Sequence, residues 1–414
     1  MFSLERWQEI FETILKNKLR TFLTGLSVAS GIFILVILLA IGQGMQNGIA
    51  KEFEQDAANR IDVWTGVTSE SFKGLNPGRF IQLKNEDYDL AVKKNIDNLE
   101  YKSGVFRIWA GLTTYKNESG SYRIEGVRGS FQFLENASMT SGRFINQSDL
   151  DNYEKTAVLG GRVSKDLFKA TNPIGEYVEV NGVNFKVVGV YTDPGGEREE
   201  TRIFIPLTTG QRVYGAGDNI RLMSFTLKPE ETFEKSLAAS EAFTAQLDYD
   251  LKRKHIVSPT DESAIYINNS LENAKRYFDL ISMIKWFFWG VGICTIIAGV
   301  VGVSNIMLII VKERTKEIGI RKAIGAQPIS IIGMILHESI FVTTIAGFLG
   351  LFFSLIVLEL VGPLIETDYI RNPTVDFGVA ITTVVILVFA GALAGFVPAY
   401  RASSIKPIEA LRDE

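Results

Sequence analysis

Four long apolar runs determine what this chain can fold into. They cover 22–41, 286–311, 329–361 and 375–397, and each equals or exceeds the roughly 20 residues that an α-helix needs to cross a bilayer. We therefore expect four membrane-spanning helices. Hydrophobic residues make up 46% of the chain, and their concentration in these runs leaves the long stretch between the first two to form a separate domain.

The first run has an alternative interpretation as a cleaved signal peptide, because Lys16, Lys18 and Arg20 precede it. Its apolar stretch is longer than the roughly 7 to 15 residues of a signal core, and A-I-G at 40–42 is a poor cleavage site. We expect the run to stay in the membrane as an anchor. Apolar residues near helical spacing predict an amphipathic helix at 1–20, lying on the inner leaflet or packed on other protein.

The basic residues place both chain ends on the cytoplasmic side, following the positive-inside bias. They lie before the first run, between the second and third runs, and after the fourth, whereas the loop after the third run carries Glu366, Asp368 and only Arg371. The predicted organisation is a cytoplasmic amphipathic helix (1–20), a first span (21–41), an extracytoplasmic domain (42–279), a second span (285–311), a cytoplasmic charged helix (312–328), a third span (329–361), an extracytoplasmic loop (362–374), a fourth span (375–397) and a cytoplasmic tail (398–414).

The charged segment at 311–327 reads V-K-E-R-T-K-E-I-G-I-R-K-A-I-G-A-Q and lies between two apolar runs. It is compatible with a helix at the membrane surface. Its basic residues mark that surface as cytoplasmic, and its acids Glu313 and Glu317 indicate contact with a folded partner rather than with lipid alone. The identity of that partner decides what the protein does.

The extracytoplasmic domain carries strand and helix signals that predict an α+β fold. The clearest strand signal is 175–190, where Asn181-Gly182 separates two β-rich arms, because both central residues of a type I′ hairpin turn need positive φ. Further strands are expected at 60–64, 101–110, 121–127, 203–206 and 221–227, and helices at 86–94, 161–169 and 232–254. Their order predicts a split α/β lobe at about 55–128 and 220–265, with an inserted β-rich lobe at about 129–219.

The chain offers few of the residues that catalysis or metal binding requires. It contains no Gly-Lys pair, so the G-x-x-x-x-G-K-[ST] loop that holds nucleotide phosphates is absent from this sequence. The two histidines, His255 and His337, and the single Cys294 exclude a histidine-rich metal site and an intramolecular disulfide. We expect no cofactor bound by this chain, and the charge distribution gives no nucleic-acid signal.

Two polar groupings nevertheless qualify as candidate sites. His255 lies near Ser258 and Asp261, a combination expected by chance in a polar loop. His337 and Glu338 lie inside the third run, where a polar helix contact is the favoured interpretation and a functional element the alternative. Because the first two runs contain no ionisable residue, an ion relay is disfavoured and the energy source is expected to be another polypeptide.

Small residues four positions apart predict close helix packing in the membrane. The alternative interpretation is that glycine is simply frequent in membrane helices. The candidate packing pairs are Gly44 with Gly48, Ala298 with Gly302, and Gly391 with Gly395.

A set of motifs spread over the whole chain resembles bacterial ABC transporter permeases of the macrolide-exporter (MacB) and FtsX superfamily. The motifs are N-K-L-R-T-F-L-T (17–24), I-G-Q-G-M (41–45), N-P-I-G-E-Y-V-E-V-N-G-V-N-F-K-V-V-G-V (172–190), F-I-P-L-T-T-G-Q-R-V-Y-G (204–215), E-R-T-K-E-I-G-I-R-K-A-I-G-A (313–326) and P-A-Y-R-A-S-S-I-K-P-I-E-A-L-R (398–412). Together, and in this order, they form a specific signal.

The resemblance implies an inner-membrane permease with four spans, a large periplasmic domain of porter-like and sabre-like lobes, and assembly as a dimer. It also implies that 312–328 is a coupling helix seated on a cytoplasmic ABC ATPase that binds ATP and Mg. Because macrolide exporters often carry the ATPase ahead of the first span, a separate ATPase subunit is expected here. The ATPase contact would comprise Glu313, Arg314, Glu317, Ile318, Gly319, Arg321 and Lys322.

The leading functional hypothesis is therefore mechanotransmission. ATP hydrolysis by the partner would move the periplasmic domain and drive export through a periplasmic adaptor and an outer-membrane channel. One alternative is a mechanical regulator of a periplasmic cell-wall hydrolase, and others are a lipoprotein-release permease and a membrane-anchored enzyme or receptor. The sequence leaves open the substrate, the adaptor, and whether the second permease of the dimer is an identical or a related chain.

Overall fold

The structure is a computed structural model that describes residues 18–53, 59–365, 367, 370–375 and 377–407. It divides into two compact units. The helical unit comprises 1–49 and 278–414, and the α/β unit comprises 50–277. Most of the predicted amphipathic helix at 1–20, and the part of the predicted tail beyond residue 407, lie outside the described residues.

The elements are numbered in chain order. The helices are α1 (Lys18–Phe53), α2 (Asn85–Asn95), α3 (Phe131–Leu134), α4 (Gln147–Asp151), α5 (Gly161–Phe168), α6 (Leu207–Val213), α7 (Phe233–Lys254), α8 (Ser270–Glu313), α9 (Thr315–Ala323), α10 (Pro328–Ile365) and α11 (Phe377–Ser403). The strands are β1 (Arg60–Thr65), β2 (Leu83–Lys84), β3 (Leu99–Tyr115), β4 (Glu118–Val127), β5 (Ser138–Gly142), β6 (Thr156–Gly160), β7 (Tyr177–Val180), β8 (Val183–Thr192), β9 (Arg202–Pro206), β10 (Asn219–Ile220), β11 (Leu222–Leu227) and β12 (Ile265–Asn269).

Among the described residues, four helices are long and apolar enough to cross a membrane. They lie at Thr21–Gly48, Ser270–Glu313, Pro328–Ile365 and Gly378–Ser403, which confirms the expected number of helices of spanning length. Large apolar side chains such as Trp286, Phe352 and Leu360 are exposed on their outer surfaces. Such a surface would be unfavourable in water and is typical of helices that face lipid. The exact span boundaries stay predictions.

Glycines allow close packing between the helices of the helical unit. On α11, Gly391 faces Thr343 and Ile340 of α10, and Gly395 faces Ser339 of the same helix. This predicted pair therefore packs two helices of one chain together.

The other two candidate pairs differ from each other in their surroundings. Gly44 lies against Ile370 and Pro373, and Gly48 is buried, whereas Ala298 is exposed. A Cβ at Gly302 would have Ser27 Oγ 4.0 Å away, so space is left beside it. A role for Ala298 and Gly302 in packing against a second permease stays a prediction.

Gly350 on α10 gives a sharp test of this packing. A Cβ there would lie 3.0 Å from Ala29 Cα of α1 and closer still to the Ala29 carbonyl oxygen, whereas a Cβ at Gly333 on the same helix would have open space around it. Gly350→Ala should lower thermal stability in detergent, because overpacking costs about 1 to 3 kcal/mol. Gly333→Ala should instead raise it slightly, since alanine favours a helix over glycine by about 1 kcal/mol. Equal shifts in the two melting temperatures would contradict the packing.

The α/β unit is built on a mixed main sheet with the strand order β12-β1-β11-β3-β4-β9-β6-β8-β5, and β7 pairs with both β3 and β8. The predicted hairpin is confirmed: β7 and β8 are antiparallel, and Asn181 and Gly182 between them have φ values of 46° and 82°. The predicted helices at 86–94, 161–169 and 232–254 are confirmed as α2, α5 and α7.

Two hydrophobic clusters fill the α/β unit, and strand β9 belongs to both. Phe204 packs into one cluster with Val63 and Phe225, while Ile203 and Ile205 on the other side of β9 pack into the second. The 17-residue strand β3 pairs with β11 through its first half and with β4 through its second. Strands within 129–219 therefore share one sheet with strands from the segments before and after it. The division into porter-like and sabre-like lobes stays a prediction.

Candidate functional site

The charged segment forms a short helix between two long ones. Helix α8 ends at Glu313, Arg314 leaves the helical conformation, and α9 follows at Thr315–Ala323. The Thr315 hydroxyl donates to the Lys312 carbonyl at 2.8 Å, which satisfies one of the free carbonyls at the end of α8. Gly325, with a φ of 104°, ends the segment before Pro328 begins α10. The helix therefore occupies 315–323 of the predicted 312–328.

An ion-pair network fastens α9 to α10. The Arg314 guanidinium makes a bidentate pair with Glu317, with Nε–Oε2 and Nη2–Oε1 distances of 2.9 and 3.0 Å, and reaches Glu338 Oε2 of α10 at 3.4 Å. Arg321 Nη2 lies 2.9 Å from Glu317 Oε1. Because Glu338 is only 4% exposed, its charge needs the guanidinium as a partner. Glu338 thus makes the polar helix contact that its sequence position favours.

The inner face of α9 is apolar and also contacts the end of α11. Ile318 is 2% exposed and packs in a cluster with Ile331 and Ile335 of α10 and with Ala399 of α11. Lys322 Nζ donates to the carbonyl oxygens of Ser403 and Ile405 at 2.7 and 2.6 Å. A cation there satisfies carbonyls at the C-terminal end of α11. Helix α9 is therefore held by both of the long helices that follow it.

The outer face of α9 carries a stripe of exposed residues four positions apart. Lys316 is exposed, Ile320 is 43% exposed and Ile324 is 83% exposed. We call Lys316, Ile320 and Ile324 the outer stripe. None of these three residues belongs to the set that the resemblance implies, although helical periodicity from a buried Ile318 would have indicated them.

The residues predicted to contact an ATPase are distributed over all sides of the segment. Glu313 is exposed, Glu317 and Arg321 are partly exposed, and Ile318 and Gly319 are buried. Arg314 and Lys322 are partly buried and hold the neighbouring helices. Most of the predicted residues therefore hold α9 in place against its neighbouring helices. The outer stripe forms the exposed surface of α9.

The polar loop that contains His255 does not assemble a catalytic triad. His255 Nε2 lies 3.1 Å from Asp87 Oδ1, while the Ser258 hydroxyl pairs with Thr260 at 2.9 Å. Asp261 accepts hydrogen bonds from the Ser69 and Glu70 amides at 2.8 and 3.2 Å. Within the described part of the chain, no hydrogen bond joins His255 to Ser258, and no cluster of His, Cys, Asp and Glu could hold a metal ion.

A family model described as the MacB-like periplasmic core domain matches residues 21–243, more than half of the chain. A second model, described as the FtsX-like permease C-terminal domain, matches residues 289–407, which include α9 and the helices that hold it. The chain belongs to the MacB/FtsX-like permeases. It is thus an ABC transporter permease with a MacB-like periplasmic domain and transmembrane helices, as the sequence motifs indicated.

Individual relatives of this permease are exporters. The "Macrolide export ATP-binding/permease protein MacB" of Campylobacter jejuni subsp. jejuni (strain 81-176) is 30% identical over 429 residues, which cover 100% of this chain and 62% of the relative. The protein of the same name from Bdellovibrio bacteriovorus is 26% identical, covering 99% of this chain and 62% of the relative. The permease therefore spans about three fifths of the length of these relatives.

A solved structure also resembles part of the permease. The periplasmic region of MacB from Actinobacillus actinomycetemcomitans is 21% identical, with a TM-score of 0.44, and the match covers 55% of this chain and 95% of that structure.

Proposed function

We propose that this permease couples ATP hydrolysis by a cytoplasmic ABC-type ATPase to movement of its periplasmic domain. The observation that carries the proposal is the construction of α9, whose inner face is fixed to α10 and α11 while the outer stripe is exposed. Such a helix can receive a push from a partner and pass it to the long helices. The sequence-based expectation that the ATPase is a separate subunit is part of the proposal.

The outer stripe has the composition of a protein contact. Ile320 and Ile324 expose large apolar side chains on the outer side of α9, and Lys316, with Lys312 one turn earlier, supplies a positive rim. Apolar anchors surrounded by polar residues are the usual centre of a protein interface. Covering the isoleucines removes their surface from water, which favours binding by about 25 cal/mol per Å².

The wider assembly follows from the family and stays part of the proposal. Both termini and α9 would be cytoplasmic, the α/β unit periplasmic, and two permeases would pair in the bacterial inner membrane. The named relatives are macrolide exporters, so we propose export of a substrate from the periplasm through an adaptor and an outer-membrane channel.

Aspartate substitutions in the outer stripe test the proposal. The full-length tagged permease is purified from its native membranes, and ATP hydrolysis and the presence of a P-loop protein are measured in the eluate. Ile320→Asp and Ile324→Asp should each reduce the bound ATPase about tenfold or more, because charging a buried interface anchor costs at least about 2 kcal/mol. Membrane yield and thermal stability should stay unchanged, since both side chains are exposed.

Ile96→Asp is the matched control for Ile324→Asp. Ile96 is 57% exposed and, like Ile324, occupies the C-terminal cap of its helix, but it lies on α2 of the α/β unit. This variant should keep its ATPase. Retention of full ATPase binding by both outer-stripe variants would refute the proposed contact, whereas capture of a cell-wall hydrolase by the periplasmic domain would replace export with the regulatory alternative.

A further inference from the structure

A cavity of about 410 Å³ lies in the α/β unit, and arginine and tryptophan side chains line it. Its walls include Arg107, Arg123, Arg202, Arg221, Trp64 and Trp109. Arg221 and Trp109 are exposed, so the cavity reaches the protein surface. Its volume falls in the range of about 300 to 1,000 Å³ that is usual for small-molecule sites.

The pleat of the sheet brings these arginines together. On β3, the Arg107 guanidinium lies over the ring of Trp109, 4.9 Å from its centroid. In the register of neighbouring strands, Arg107 lies opposite Glu125 of β4, and Arg123 of β4 lies opposite Arg202 of β9. Two arginines directly opposite each other are unfavourable unless a negative charge lies close to both.

The carboxylates of the site are already paired with arginines. Glu125 lies 2.7 Å from Arg107 Nε and 3.3 Å from Arg123 Nε, and Glu199 lies 3.2 Å from Arg123 Nη2. Around the cavity, five arginines face four carboxylates, which leaves a surplus of one positive charge; the residues are Arg60, Arg107, Arg123, Arg202, Arg221, Asp62, Glu125, Glu135 and Glu199.

The charged neighbours act differently on the individual arginines of the cavity. Burial lowers the pKa of Arg123, and its neighbours Arg202 and Arg107 add to that shift although Glu125 opposes it. The pKa of Arg202 is instead raised, because Glu135 and Glu125 outweigh the effect of burial. Arg221 lies over the ring of Phe80 at 5.8 Å, and none of the carboxylates in the described part of the chain pairs with it.

We propose that this cavity binds a small molecule through a carboxylate or phosphate group. The planar guanidinium fork matches both groups in geometry, and a bound oxyanion would offset the repulsion between Arg123 and its neighbours Arg107 and Arg202, all of which line the cavity. Trp64, Trp109 and Leu222 also line the cavity and supply apolar surface for the rest of the molecule. The site is independent of the outer stripe and of any ATPase.

Calorimetric titration of the full-length permease in a nonionic detergent tests the site. The probes are citrate, inorganic phosphate and dihexanoyl phosphatidic acid, added at low ionic strength. At least one probe should bind, and binding should weaken as salt is raised because the attraction is electrostatic. Preference for the phosphatidic acid would indicate that the bound anionic group belongs to a lipid headgroup. Equal or better binding of citrate or phosphate would indicate that it belongs to a free small molecule. Either result supports the site.

Arg221→Gln should weaken binding about tenfold, since a charge-assisted hydrogen bond is lost, and the exposed position keeps the variant folded. Arg212→Gln is the matched control, because Arg212 is an exposed arginine over the ring of Tyr153, at 4.8 Å, outside the cavity. It should bind as the unmodified protein does. The proposal is overturned if no probe binds at millimolar concentration, or if the two variants lose affinity equally.

Discussion

Replacing Glu135 by glutamine is expected to destabilise the α/β unit by about 3 to 5 kcal/mol. Glu135 is 3% exposed and pairs with two arginines, with its carboxylate oxygens 2.8 Å from Arg60 Nη1 and 2.5 Å from Arg202 Nη1. Glutamine has nearly the same shape but no charge, so both buried guanidinium groups lose their shared counterion. Hydrogen exchange of the β9 amides in the full-length protein measures the loss as a lower free energy of opening.

The same carboxylate predicts how this stability depends on pH. Burial alone would raise the pKa of Glu135, but Arg60 and Arg202 lower it from 4.5 to about 2. A carboxylate with a depressed pKa stabilises the fold above its unfolded pKa, and that contribution is lost as the pH falls through the folded value. We therefore expect protection of β9 to decline between about pH 4.5 and pH 2 in the unmodified protein, and the Glu135→Gln variant to lack this component.

Glu118→Gln is the control for Glu135→Gln. Glu118 also pairs with a cation, Lys169, but both side chains are substantially exposed. Exposed pairs contribute about 0 to 1 kcal/mol, so this variant should behave almost like the unmodified protein. Equal losses of opening free energy in the two variants would show that the buried arginines do not need the charge of Glu135.

The elements that the sequence predicted are those fixed by local chemistry. Asn181 and Gly182 determine the β7–β8 hairpin through their own backbone preferences, and the helix predicted at 232–254 is α7. Strands β6 and β12 were not predicted. Each is five residues long, and β12 is stabilised by pairing with β1, about 200 residues earlier in the chain. Such pairing depends on the tertiary fold and leaves little local signal.

The candidate sites were likewise predicted only where the local sequence determines them. The charge pattern at 311–327 predicted a helix in the segment that contains α9, but the orientation of α9 depends on Glu338, which follows Arg314 by 24 residues. The arginine-lined cavity was not predicted, because its residues come from strands whose register brings Arg123 beside Arg202. Sequence spacing indicates which residues share one face of one element, whereas the pairing of elements decides which faces meet.

Under the proposed function, Arg314→Gln is expected to weaken the transmission of force from α9 to α10 while leaving the ATPase bound. Arg314 joins Glu317 of α9 to Glu338 of α10, and the outer stripe does not include it. Without the guanidinium, α9 can shift relative to α10 when the partner pushes it. Adding a non-hydrolysable ATP analogue to the purified complex should change hydrogen exchange in the α/β unit, and the variant should lose this response at least about fivefold, as for a typical coupling energy.

Two further variants distinguish a loss of force transmission from a loss of protein stability. Arg314→Gln leaves the Glu338 carboxylate buried without this partner, so the double variant with Glu338→Gln should recover thermal stability but not the nucleotide response. Arg401→Gln, which removes an exposed arginine from α11 of the same unit, should keep both. If the ATPase dissociates from the Arg314→Gln variant, or if the double variant regains the nucleotide response, Arg314 serves to position α9 for binding and the long helices receive force by another contact.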